Sequence, residues 1–227
     1  MIRPIATAAA LAAALVSAAP ALAAGGHHAV DDAALLEPGQ CQLELWWDHE
    51  SGGARSLLHA GPACRVGAVE LGLNLDHVRL DGTGTTSIAG AQLKWARDVG
   101  NGWSAGVVLW LAGQDRAPHN LGSTIVIPVT WQATETLLAH VNVGRDFRPG
   151  ERDLNRAGIA LEWTPLGNGS LNGSLIVERF REGGANFWRA GARWALTPMS
   201  SVDLSRARGL DSSAGAWWTL GLSWVFE

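Results

Sequence analysis

Ala216 to Glu227 reads AWWTLGLSWVFE, and its alternation sets the reading of the whole chain. Trp218, Leu220, Leu222, Trp224 and Phe226 fall on one face of an extended strand, and Thr219, Gly221, Ser223 and Val225 on the other, because side chains alternate with period two. Such a strand has one greasy face and one small or polar face. A soluble sandwich would bury the greasy face against a second sheet, whereas a closed barrel would turn it to lipid.

The opening residues bear on the compartment. Arg3 gives a weakly positive start, Ile5 to Val16 an apolar stretch, and Ala21-Leu22-Ala23 an A-x-A cleavage site, so residues 1–23 are expected to be a secretory signal peptide. Residues 24–38 are then expected to form a periplasmic N-terminal segment, and residues 39–227 a single barrel domain. No later apolar run approaches the roughly 18 residues of a membrane helix. Any membrane span must therefore be made of strands.

Composition leans the same way. Charged residues make up 17% of the chain, below the roughly 25% usual in soluble domains, and the apolar residues are spread in alternation. A net charge of -4 and a pI near 6.0, with no basic stripe carrying aromatics, exclude a nucleic-acid partner.

Turn signals divide the chain into twelve expected strands near 40–48, 56–65, 68–79, 86–97, 102–112, 122–132, 136–146, 156–164, 170–181, 186–196, 200–206 and 216–226. Ten is the alternative count, with 200–206 the shortest segment. An even number puts both termini on one side, the periplasm in an outer-membrane barrel. The even-numbered connections, such as Arg65 to Gly67 and Pro165 to Gly169, are short or rich in turn formers. The odd ones, such as Glu50 to Arg55 and Arg208 to Gly215, are mostly longer and more polar, as this topology requires.

The 12 tryptophans supply a further test. Trp95, Trp103, Trp131, Trp163, Trp194 and Trp224 fall towards the periplasmic ends of the strands. Trp46, Trp47, Trp110, Trp188, Trp217 and Trp218 fall towards the outer ends, so two aromatic girdles are expected. The fold expected is an all-β, antiparallel, up-and-down transmembrane β-barrel in the bacterial outer membrane, with lipid and the outer-membrane assembly machinery as its partners.

Cys41 and Cys64 flank a polar stretch. If it turns at Gly52-Gly53, residues whose numbers sum to about 105 face each other, and this pair meets that sum. A cross-strand disulfide is expected in an oxidising periplasm, the alternatives being inert thiols or a metal site for which two cysteines are too few. The same arithmetic pairs Glu70 with Lys94, Glu178 with Arg189, Arg193 with Asp203, and His140 with Glu162, all on the inner face. These eight residues are expected either to ring a narrow polar pore and set what passes, or to fill a closed interior.

Asp31 to Trp47, DDAALLEPGQCQLELWW, resembles the start of the outer-membrane barrels grouped as the meta-pathway phenol-degradation family, which open with an acidic segment, a Pro-Gly turn and a Gln-x-Glu strand. Gly67 to His77 (GAVELGLNLDH) and Ala89 to Val99 (AGAQLKWARDV) look like that family's second hairpin. The resemblance implies an outer-membrane protein passing small aromatic compounds, with no catalytic residues to carry over. The chain departs from the family in its cysteine pair and in His27-His28.

His27 and His28, followed by Asp31 and Asp32, form the other chemical cluster. If cleavage falls after Ala24, the free amine, two amides and the His27 imidazole would surround square-planar Cu(II) or Ni(II). Cleavage after Ala23 would put His27 one place too late, and a solvated leader is the alternative. No other cofactor is expected. For function, passive passage of a small aromatic or hydrophobic solute competes with a non-conducting binding module whose tip is the histidine pair.

An enzyme is not expected. His140 and Asn142 share a strand face, and Ser104 or Ser174 would complete a hydrolase-like set only within hydrogen-bond reach, yet neither serine sits in a nucleophile motif. His49, His59, His77 and His119 share no ligand spacing and read as solvated. Gly82-x-Gly84 and Gly167-x-Gly169 are turn glycines.

Overall fold

A computed structural model describes residues 27–165, 173–211 and 215–227. The expected signal peptide, most of Pro165 to Gly169, the start of the ninth expected strand and the middle of Arg208 to Gly215 lie outside them. The strands are β1 (Cys41–Glu50), β2 (Arg55–Val66), β3 (Val69–Leu80), β4 (Gly84–Gly100), β5 (Trp103–Gln114) and β6 (Asn120–Gln132). They continue as β7 (Leu137–Phe147), β8 (Leu154–Trp163), β9 (Gly173–Glu182), β10 (Ala185–Thr197), β11 (Ser200–Gly209) and β12 (Ala216–Phe226).

Each strand pairs antiparallel with its sequence neighbours, and β1 closes the ring on β12 with Cys41 opposite Phe226. Closure leaves no unpaired edge, which lipid would not tolerate. The short stretch after Ser200 is a full strand, so the ten-strand alternative falls away.

Alternation decides the two faces. In β12, Leu220 is 55% exposed and its neighbour Thr219 is 0% exposed. Leu71, Leu73, Leu75, Val141, Val143, Leu175 and Val177 likewise stand on the outside, where a soluble protein would not spend them. These residues form the lipid-facing band of an outer-membrane barrel.

Connections such as Gly67-Ala68, Asn101-Gly102 and Pro198-Met199 are tight, and they mark the periplasmic end. The outer turn at Gly183-Gly184 is also short, with φ of 58° and 84°. Both positions require the left-handed backbone of a two-residue hairpin turn, which glycine adopts without a Cβ clash.

The tryptophans depart in part from the expected girdles. All six periplasmic ones face outward, and Trp103 stacks on Trp131 with ring centroids 5.5 Å apart. At the outer end Trp47, Trp188 and Trp218 face lipid, whereas Trp46, Trp110 and Trp217 turn into the lumen. Parity compels it: of two adjacent strand residues, such as Trp46-Trp47 or Trp217-Trp218, one must point inward.

Candidate functional site: the lumen and the segment that crosses it

Cys41 and Cys64 stand opposite each other and are joined by a disulfide, with Cα atoms 4.0 Å apart. The bond pins β1 to β2 where the chain enters the wall.

The eight charged lumen residues are all buried, on the inner face. Glu70 is opposite Lys94, Glu178 opposite Arg189, and Arg193 opposite Asp203. His140 is opposite Ala160, however, and Glu162 is opposite Leu138. The partner numbers around this outer loop thus sum to 300, two below the 302 of the expected His140–Glu162 pair. A shift of two preserves the face, so the residues become diagonal neighbours with His140 Nε2 and Glu162 Oε2 3.7 Å apart.

Two wall pairs close as ion pairs: Arg189 Nη1 lies 3.1 Å from Glu178 Oε1, and Arg193 Nε donates to Asp203 Oδ1 at 2.7 Å. Other bonds lead from the wall to the N-terminal segment, which is not a solvated leader from His27 onward. Val30, Asp32, Ala33 and Leu36 are buried inside the barrel.

The segment follows the inner wall almost strand by strand in reverse. Arg189 of β10 donates to the His27 carbonyl, and Ser205 of β11 bonds His27 Nε2 at 2.7 Å. Glu178 of β9 accepts the N–H groups of Ala29 and Val30 at 3.3 and 3.1 Å. Asn142 of β7 donates to the Asp31 carbonyl at 2.9 Å and accepts from its N–H at 2.6 Å. Lys94 of β4 meets Asp32 at 2.7 Å. Leu36 then donates to Glu70 of β3 and accepts from Arg65 of β2, at 3.2 and 2.6 Å.

These bonds meet the requirement that buried backbone groups be paired. Thr130 of β6 accepts the Ala33 N–H and is hydrogen-bonded to His140 Nδ1, both at 2.9 Å, while His140 Nε2 faces Glu162. Val30 packs on Ala160 and Phe180. It does so over Gly158, where a Cβ would stand 2.5 Å from the valine methyl.

Burial first, then the charges of His28, Arg189 and Arg193, hold His27 well below the ordinary imidazole range.

Above the segment lies a cavity of about 620 Å³ whose rim includes Glu50, Arg55 and Glu182 and whose floor reaches Gln42 and Glu70. Its aromatic lining comprises Trp46, Trp110, Phe180, Phe187 and Trp217. His59 belongs to it as well, and is not solvated: it is 3% exposed, stacked on Trp46 at 3.4 Å, and bonded through Nδ1 to Asp76 Oδ1 at 2.6 Å. Trp110 Nε1, Trp217 Nε1 and His59 Nε2 are buried without a hydrogen-bond partner. Alternation put His59 on the same face as Gly61, which would have been the available signal.

A closed twelve-stranded barrel with a lipid-facing outside and a polar, segment-filled inside defines a bacterial outer-membrane β-barrel protein. The chain belongs to the family described as Uncharacterised conserved protein UCP029691, which it matches over residues 11–226. No curated protein matches it in sequence.

Among solved structures it is similar to the KdgM porin, with a TM-score of 0.65 and 8% identity over 82% of this chain and 99% of that one. It is also similar to the Ralstonia pickettii toluene transporter TbuX, with a TM-score of 0.55 and 9% identity over 85% and 90% of the two chains. For the Pseudomonas putida toluene transporter TodX the TM-score is 0.53, with 8% identity over 84% and 90%. At these identities the likeness is one of fold.

Proposed function

We propose that the protein is a passive outer-membrane channel for a small aromatic solute, with the N-terminal segment as a constriction across its periplasmic half. The observation that carries this reading is the aromatic cavity with unpartnered N–H groups. Trp46, Trp110 and Trp217 line it with indole rings, while two indole N–H groups and His59 Nε2 in its wall lack a partner and would reach a solute's oxygen after a small side-chain rotation. Such a pocket, apolar with a few directed polar groups, is the usual form of a small-molecule site.

The resemblance to the meta-pathway phenol-degradation barrels and the fold shared with two toluene transporters support an aromatic solute. An acidic saccharide, such as the oligogalacturonate named in one KdgM structure, suits the lining less well. Seven carboxylates face the cavity against five lysine and arginine side chains, so a polyanion would meet net repulsion. Within this reading the inner ion pairs act chiefly by holding the segment.

Swelling of protein-loaded liposomes tests the proposal. Phenol or benzyl alcohol is expected to enter faster than galacturonate. Removal of residues 25–36 is expected to speed both and to raise single-channel conductance. The second reading, a binding module that conducts nothing, is favoured by the segment's many anchors. It would prevail if the folded, shortened barrel stayed silent and impermeable.

A further inference from the structure

We propose that the lumen contains a divalent transition-metal site, built from His27 and His28 of the N-terminal segment and Asp203 of β11, which fastens the segment to the barrel wall. Each residue offers one ligand atom, and the three atoms lie within 4.8 Å of one another. His27 Nδ1, His28 Nδ1 and Asp203 Oδ2 are all buried, and none has a hydrogen-bond partner. Unpartnered buried polar atoms are costly. Three that converge are accounted for by a cation between them.

The opposite ends of these groups are already fixed. Ser205 Oγ holds His27 Nε2 at 2.7 Å, and Arg193 Nε holds Asp203 Oδ1 at 2.7 Å. If the His27 Nε2–H is donated to Ser205, the Nδ1 lone pair is left facing the site, the outer bond that metal-ligating histidines ordinarily make. Space is reserved too: a Cβ on Gly221 would stand 3.3 Å from His27 Nδ1 and 3.5 Å from Asp203 Oδ2. Glu178 Oε1, 3.7 Å from His28 Nδ1, is placed to join as a further oxygen.

Donor chemistry selects the ion. Two imidazoles and a carboxylate suit Zn(II), Cu(II) or Ni(II), whereas Ca(II) and Mg(II) call for more oxygens. The nearby Arg189 and Arg193 are offset by Glu178 and Asp203, so no excess of negative charge draws hard cations. Unlike the amino-terminal site expected from the sequence, this one takes a ligand from the wall and does not depend on where the leader is cut. It stands independently of whether the barrel conducts.

The test is a zinc titration of metal-stripped, refolded mature protein in detergent, in competition with a chromophoric chelator. One equivalent is expected to bind. His27→Ala and Asp203→Asn are each expected to weaken binding by about tenfold or more. Asp203→Asn also disturbs the Arg193 pair, so His28→Ala serves as a variant that keeps the Arg193–Asp203 and Arg189–Glu178 pairs and is expected to weaken binding similarly. With Cu(II), electron paramagnetic resonance is expected to show nitrogen coupling that His27→Ala reduces. The proposal is overturned if the protein binds none of the three metals, if His27→Ala and His28→Ala bind as tightly as the parent, or if His77→Ala with His119→Ala abolishes binding.

Discussion

The outer and periplasmic halves of the lumen are made by the same twelve strands and are finished differently. In the periplasmic half, inward side chains such as Glu70, Lys94 and Thr130 bond main chain or carboxylate of residues 32–36. In the outer half, Trp46, Trp110 and Trp217 surround space, and the Trp110 and Trp217 N–H groups are unpaired. The difference is between polar groups satisfied by the chain itself and polar groups kept for something else. One half holds the segment; the other encloses the cavity.

Removing the segment is the harshest way to break the contrast. Deletion of residues 25–36 should turn the periplasmic half into open lumen, and conductance in planar bilayers should rise several-fold while the heat-resistant barrel band persists in gel electrophoresis. Glu178→Ala should come next. It removes the acceptor of two segment N–H groups and strands Arg189 in the interior. Breaking a buried pair in this way costs about 3–5 kcal/mol, to be read as a lower unfolding midpoint in guanidinium together with noisier, larger openings.

Gly158→Ala is milder. The added methyl meets Val30 at 2.5 Å, and overpacking of this kind costs about 1–3 kcal/mol. It should loosen the segment, measured as faster proteolysis ahead of β1, with barrel stability unchanged. Trp46→Ala sharpens the other half: it removes the ring stacked on His59 and should weaken aromatic solute binding by about 0.5–1.5 kcal/mol, seen as quenching of lumen tryptophan fluorescence, without altering conductance. Leu73→Ala, on the lipid face, should leave solute binding unmoved.

The barrel was legible because lipid imposes a simple rule: side chains must alternate between two solvents, and β12 states that rule in one line. Hairpin arithmetic located Cys41 opposite Cys64 and Arg193 opposite Asp203 because Gly52-Gly53 and Pro198 mark the centres of their turns and so fix the sum of partner numbers. It missed His140 by two places because the loop after Phe147 carries no glycine pair to set its centre. The lumen's filling was not legible. The segment AVDDAALL has neither period, and its place is set by bonds to eight strands between β2 and β11, each individually nonlocal. Trp46 and His59 were misread for a related reason: a strand-end position suggests an interface or solvent, and only closure of the ring shows which ends enclose a cavity.

Those nonlocal bonds also impose an order in time. His27 leaves the ribosome well before its partner Ser205, which lies 178 residues later, and the partners of Val30 and Ala33 lie 148 and 97 residues away. Contacts of such separation form late, because the chain between must be ordered first. The segment's full set of bonds is therefore available only once strands from β2 to β11 stand in register, so its docking follows the assembly of the wall that holds it.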